Sequence, residues 1–134
     1  MSKHSNEKLK TLQLLIVDDE EGFTSILEKR LSKRGILVTK ANSGTQAIQI
    51  LRNREFHCAV VDLKMEDMSG IEVLKIFKKM VPELPVIMLT GHGCEESAAE
   101  GMSLGADAYL IKPCTLEDLV SNVRDAVIKS TRDV

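Results

Sequence analysis

The chain of 134 residues is 43% hydrophobic and 28% charged, enough for one domain with a core of its own and too short for two of ordinary size. Its 18 Lys and Arg against 20 Asp and Glu give a formal net charge of −2, which argues against a strongly basic nucleic-acid binder. With no Trp, and only Phe23, Phe56, Phe77 and Tyr109 as aromatics, base-stacking platforms and aromatic cages are poorly supplied.

Residues 1–10 are polar, lack the apolar stretch of a signal peptide and read as an N-terminal extension. Residues 12–17 form the first apolar run, far short of the ~20 residues that span a bilayer. Asp18, Asp19 and Glu20 follow it. Phe23, Ile26, Leu27 and Leu31 then recur at helical spacing until Gly35 ends the helix. Residues 36–40 make a second strand, and after an amphipathic stretch residues 58–61 make a third, closed by Asp62. Ser69-Gly70 opens a helix with Ile71, Leu74 and Phe77 on its apolar face. Pro82 and Pro85 bracket a short link to the fourth strand, residues 86–89, which Thr90 follows. Another amphipathic stretch runs to Leu104-Gly105, where a left-handed cap belongs, and residues 108–111 form the fifth strand. After Lys112-Pro113, Thr115 caps a last helix with Asp118 in the capping-box place. Leu116, Leu119, Val120, Val123 and Val127 line one face of that helix. Residues 130–134 read as a frayed end, with 131–134 as a tail outside the domain.

Short apolar runs of this kind suit strands covered on both faces. Strict alternation over about 120 residues implies an α/β, doubly wound parallel sheet with right-handed crossovers and helices on both faces. In such a sheet ligands sit beyond the carboxyl ends of the strands, so Asp18, Asp19, Glu20, Asp62, Thr90 and Lys112 converge. Three carboxylates within ~4–5 Å repel by about 1–4 kcal/mol per pair, depending on the effective dielectric, so the cluster calls for a cation. Cys58, Cys94 and Cys114 are odd in number and show no C-x-x-C spacing, which excludes a disulfide framework and suits a reducing cytosol. His92, Cys94 and Cys114 fall in neighbouring loops, but their spacing fits no standard zinc site. Met65, Met68, Met80, Met88 and Met102 read as ordinary packing.

Asp18-Asp19, Asp62 in VVDLKMEDMSG, Thr90 in VIMLTGHG and Lys112-Pro113 in AYLIKP stand in one order, at intervals of 43 (19 to 62), 28 (62 to 90) and 22 (90 to 112). That series resembles the receiver domain of two-component response regulators, over residues 11–130. The resemblance implies a five-stranded, flavodoxin-like sheet ordered 2-1-3-4-5. It makes Asp62 the phosphoacceptor and Mg²⁺ the cofactor, held by Asp18, Asp19, Asp62 and the backbone carbonyl of Lys64. Lys112 would pair with a phosphoryl oxygen, and Thr90 would donate its hydroxyl to another. Tyr109 matches the family's switch aromatic, and Lys64 and His92 would tune the lifetime of the phosphoryl group. Implied partners are a histidine kinase or phosphotransfer protein, and a downstream protein or second copy at the face made by the fourth helix, fifth strand and fifth helix. Direct DNA binding and membrane insertion are not expected, and the implied location is cytoplasmic. One departure stands out. Receivers commonly carry Pro three or four residues after the phosphoacceptor, where this chain has Met65 and Glu66 followed by Asp67, which predicts a more acidic and more mobile loop.

Two other classes compete. A haloacid-dehalogenase-type phosphohydrolase also uses Asp, Mg²⁺, Thr and Lys, but needs a D-x-D after the first strand where this chain has Asp18-Asp19-Glu20. A flavodoxin-like electron carrier needs a hydroxyl-rich phosphate loop there, and acids occupy it. The expectation is a signalling module that promotes its own phosphorylation and dephosphorylation, not an enzyme with an external substrate.

Overall fold

Alternation along the first strand sets up both faces of the sheet. In β1 (Leu12–Val17), Leu15 and Val17 enter one apolar cluster while Leu14 and Ile16 enter another on the opposite side. The computed structural model describes residues 11–132; the polar extension of residues 1–10 and residues 133–134 lie outside the described residues. β1 pairs in parallel with β2 (Ile36–Ala41) on one side and β3 (Cys58–Val61) on the other. β4 (Val86–Thr90) and β5 (Ala108–Ile111) complete the order β2-β1-β3-β4-β5. Strand order therefore reverses beside β1 and β3, and the crevice opens at their carboxyl ends.

α1 (Glu21–Ser32) and α5 (Leu116–Arg132) cover one face, packing Leu27, Leu31, Leu119, Val120 and Val123 against Leu14, Ile16, Val60 and Ile87. α2 (Gly44–Asn53) and α3 (Gly70–Met80) cover the other with Ala47, Leu51, Val73, Leu74 and Phe77. α4 (Glu95–Ser103) is only lightly embedded, burying Gly101 alone. None of the described helices is long and apolar enough to cross a membrane.

The end signals behave as their chemistry requires. Gly35 and Gly105 hold the left-handed φ values of 78° and 107° that side chains resist. Ser69 and Glu72 form a reciprocal capping box, and Thr115 Oγ1 accepts from the Asp118 amide. Five expectations change. β2 runs one residue further, to Ala41, and Thr90 belongs to β4, paired with Ile111. The frayed end is instead helical through residue 132, where Ser130 Oγ donates to the Glu83 carbonyl at 3.3 Å. Ile26 is 55% exposed because Leu27, its neighbour round the helix, takes the sheet-facing place. Met102 is 47% exposed because α4 turns only Gly101 inward.

Phe77 is wholly buried between α3 and the sheet, so Phe77→Ala should cost about 3–5 kcal/mol of stability. Ile26→Ala, on the surface, should stay within about 0.5 kcal/mol of wild type. Urea unfolding midpoints check both.

Candidate functional site

Parallel ladders deliver the first two acids. The Asp18 amide donates to the Ala41 carbonyl at 3.0 Å and the Asp62 amide to the Val17 carbonyl at 2.9 Å, so each backbone is fixed one residue past its strand. The two residues are 3% and 4% exposed, while Asp19 stands on the rim. One oxygen from each of Asp18, Asp19 and Asp62 lies within 4.8 Å of the others.

Lys112, just after β5, crosses to them. Its Nζ lies 2.8 Å from Asp18 Oδ2 and 3.0 Å from Glu20 Oε1, but 3.9 Å from Asp62 Oδ2. It also sits over the Phe23 ring, 4.2 Å from the centroid. Burial draws the Lys112 ammonium down, yet bonds to Asp18 and Glu20 outweigh that and leave it above its ordinary value. Burial pushes the Asp18 carboxyl up; the Lys112 bond offsets part of the rise and the Asp62 charge adds to it. Asp62 Oδ1 is buried with no hydrogen-bond partner, a costly state for a carboxylate oxygen. Hard oxygen donors around an unpaired buried oxygen are what a divalent cation such as Mg²⁺ fits.

An open cavity of about 340 Å³ joins Asp62 to Asp19, Glu20, Lys64, Met65, Glu66 and His92. Thr90, fully buried, ends β4 beside them; its Oγ1 accepts from the His92 amide at 3.0 Å and keeps its own proton to donate. Tyr109 does not line the cavity. Register pairs it with Met88, which puts it on the same sheet face as Thr90, one diagonal step away. Its hydroxyl is 2.6 Å from Ser97 Oγ on α4, and a Cβ at Gly93 would come within 2.7 Å of it.

Asp18, Asp19, Asp62, Lys64, His92 and Lys112 therefore gather as the sequence suggests, with Thr90 at their edge and Tyr109 behind. Asp18, Asp19 and Asp62 are the one metal-capable cluster of three or more among the described residues, and His92, Cys94 and Cys114 do not join one. Cys58 is packed inside the core, where burial pushes its thiol far up. Sequence reasoning missed Phe23 and Glu20 as partners of Lys112, and Ser97 and Gly93 as partners of Tyr109. Glu20 stood in the acidic triplet and Phe23 on a helical stripe, but neither pattern says which cation arrives from 92 residues further on.

The expectation of a loose loop after β3 is corrected. The Asp67 carboxylate accepts from the Gly44 amide at 3.1 Å, the Thr45 amide at 2.8 Å and Thr45 Oγ1 at 2.8 Å. The Thr45 bonds, with help from Gly44, lower its carboxyl to about 2. The extra acid therefore ties the loop to the start of α2. At its other end, the Gly70 amide donates to Leu63 O at 2.6 Å, and a Cβ at Gly70 would lie 2.1 Å from Asp62 O.

Converging acids, a hydroxyl and a lysine at the carboxyl edge of a parallel sheet, where strand order reverses, define a polar site on a doubly wound α/β frame. The chain matches the response regulator receiver domain over residues 14–124. It is 36% identical over 116 residues to the transcriptional regulatory protein ZraR of Escherichia coli O157:H7, covering 87% of this chain and 26% of that protein. A CheY-like receiver domain protein from Methanospirillum hungatei JF-1 superposes with a TM-score of 0.89 at 28% identity, covering 92% of this chain and 99% of that one. A beryllofluoride-activated NtrC4 receiver domain dimer gives 0.84 at 30%, covering 88% and 98%. The chain belongs to the response regulator receiver domain family. It spans about a quarter of the length of the first curated relatives it matches. The phosphohydrolase alternative is left without support.

Asp62, buried and the least well paired of the acids, is where charge removal should help most. Asp62→Asn should stabilise the metal-free protein by about 1–2 kcal/mol, and Asp19→Asn, on the rim, by less. Thermal melts with and without Mg²⁺ check this, because the gain should shrink once the cation stabilises the wild type. Equal shifts under both conditions would count against a shared site.

Proposed function

We propose that this receiver accepts a phosphoryl group on Asp62 from a histidine kinase or phosphotransfer protein, and passes the signal to a protein partner. The observation that carries it is the unpaired buried Oδ1 of Asp62, a residue that lines an open acidic cavity and whose other oxygen lies 3.9 Å from Lys112 Nζ. A carboxylate oxygen of Asp62 attacks phosphorus and forms the acyl phosphate, while the bond to the donor nitrogen or oxygen breaks and the leaving group departs. Such transfer needs positioning and charge stabilisation more than covalent help. Bound Mg²⁺ would supply that charge, neutralising carboxylates and phosphoryl oxygens that otherwise repel one another. Asp18, Asp19, Asp62 and the Lys64 carbonyl would hold it. Lys112 would shift from Glu20, the exposed partner, towards a phosphoryl oxygen. Lys64 and His92, on the cavity wall, would control how water reaches the group and so its lifetime.

Output would leave through the face of α4, β5 and α5. If the Thr90 hydroxyl turns to the phosphoryl group, Tyr109 gains room on the same sheet face, and α4, bonded to it through Ser97, must respond. The dimeric state of the activated NtrC4 receiver supports self-association as one form of that output. A cytoplasmic location fits the kinase partner.

The deciding experiment is intact mass after exposure to acetyl phosphate. Wild type should gain one phosphoryl group with Mg²⁺ and none in excess chelator, and Asp62→Ala none in either. Phosphorylation of Asp62→Ala at the wild-type rate would sink the assignment.

Thr90→Ala should still be phosphorylated but lose most of the preference of the partner, or of a second copy, for the phosphorylated form. Couplings of this kind are about 5- to 150-fold in affinity. Titration of phosphorylated against unphosphorylated protein checks it, and an undiminished preference in the variant would reject the switch.

A further inference from the structure

The first turn of every helix leaves amides without intrahelical partners. In α2 the third of these, Gln46, is met locally by Ser43 Oγ at 3.1 Å. The first two, Gly44 and Thr45, are met from outside the helix, by the one carboxylate of Asp67 more than 20 residues along the chain. Thr45 Oγ1 adds a third bond. Next to Asp67, Met68 lies so close to α2 that a Cβ at Gly44 would fall 2.4 Å from its Cγ. The loop from Leu63 to Ser69 is thus held at its stem, where Gly70 closes on the Asp62 backbone, at Met65, whose side chain is buried in the core, and at its far side against α2. Lys64 lies between the stem and Asp67 and is itself exposed.

We infer that Asp67 is a positioning residue for the metal site: by clamping the loop to the start of α2 it holds the Lys64 carbonyl where a cation shared with Asp62 can use it. The inference rests on the magnesium reading proposed above and adds to it a residue and a connection to α2. Asp67 touches neither the acids nor the cavity, so it acts through the backbone alone. Its carboxyl, held at about 2 by these bonds, is ionised at any working pH, and the clamp is permanently charged. By linkage, whatever the clamp does for the cation the cation does for the clamp.

The test is calorimetric titration of the whole chain with Mg²⁺, beside hydrogen exchange at the Gly44 and Thr45 amides. Asp67→Ala should weaken Mg²⁺ binding by about tenfold, as loss of a group supporting a ligand typically does. Thr45→Ala should weaken it by a smaller factor without altering any charge, and the double variant should lose less than the product of the two. In wild type, Mg²⁺ should slow exchange at Gly44 and Thr45. In Asp67→Ala that protection should vanish. A residue that merely stabilised the fold would change melting temperature and leave the affinity of the folded protein alone. Where Asp67→Ala unfolds, Asp67→Asn, which keeps one acceptor oxygen, should show a reduced effect in the same direction. Wild-type binding abolished by Asp62→Asn, yet within about twofold of normal in Asp67→Ala and Thr45→Ala, would overturn the clamp and leave the magnesium reading standing. No Mg²⁺ binding by wild type would overturn both.

Discussion

Lys112 Nζ lies 2.8 Å from a carboxylate that is 3% exposed, and that contact joins the end of β5 to the end of β1 across two intervening strands. Taking a charge out of water costs several kcal/mol unless a partner and hydrogen bonds compensate, and here Lys112 and the Glu20 amide, which donates to Asp18 Oδ1 at 2.9 Å, supply that compensation. One ammonium serves Asp18 and Glu20 and leans on the Phe23 ring. Asp62 is left at 3.9 Å and Asp19 at the rim. Three of these four acids therefore lie within 4 Å of one ammonium. The fold tolerates this imbalance because two of the four, Asp19 and Glu20, remain in contact with water. The remaining deficit falls on Asp62, whose Oδ1 is unpaired, and gives the cavity its preference for positive charge and for groups that bring it.

The position of that imbalance follows from the two-sided sheet. β3 reads Cys58, Ala59, Val60, Val61, all buried, because helices cover both of its faces. A charged residue could not stand anywhere along it. The first place where a carboxylate meets open space is the residue after the strand ends, and both Asp18 and Asp62 occupy such places with their amides still bonded to the ladder. Asp18 and Asp62 are thus fixed to strands buried on both faces, while α4, with Gly101 as its only buried residue, is held on the other side of Tyr109 by far less. The phosphoryl transfer proposed above would need the first, and the proposed output surface the second.

Much of this was legible in the residues. Strand and helix order and the convergence of Asp18, Asp19, Asp62, Thr90 and Lys112 follow from apolar period and from where the acids fall, while the order of the strands in the sheet was implied by the resemblance to receiver domains. Boundaries moved by a residue or two, as at Ala41 and Thr90, because pairing with a neighbour strand prolongs a ladder past the apolar run. Ile26 shows the limit of periodicity, since a stripe of four apolar residues cannot say which margin residue the sheet will actually cover. The partners of Lys112 and Asp67 were harder still. Each depends on two elements far apart in sequence meeting at hydrogen-bond distance, and no local pattern encodes that. The acidic loop was read as loose because an acid in a turn has no visible partner until α2 is placed beside it.

The bond between Tyr109 and Ser97 has a practical side. The chain has a single tyrosine and no tryptophan, so its near-ultraviolet emission comes essentially from one phenol, and that phenol is the group wedged between Gly93, Ser97 and the edge strand. Any rearrangement that frees its hydroxyl alters the surroundings of the molecule's sole intrinsic fluorophore. The protein thus carries an optical reporter on the face through which its signal would leave, needing no label and undiluted by signals from elsewhere in the fold.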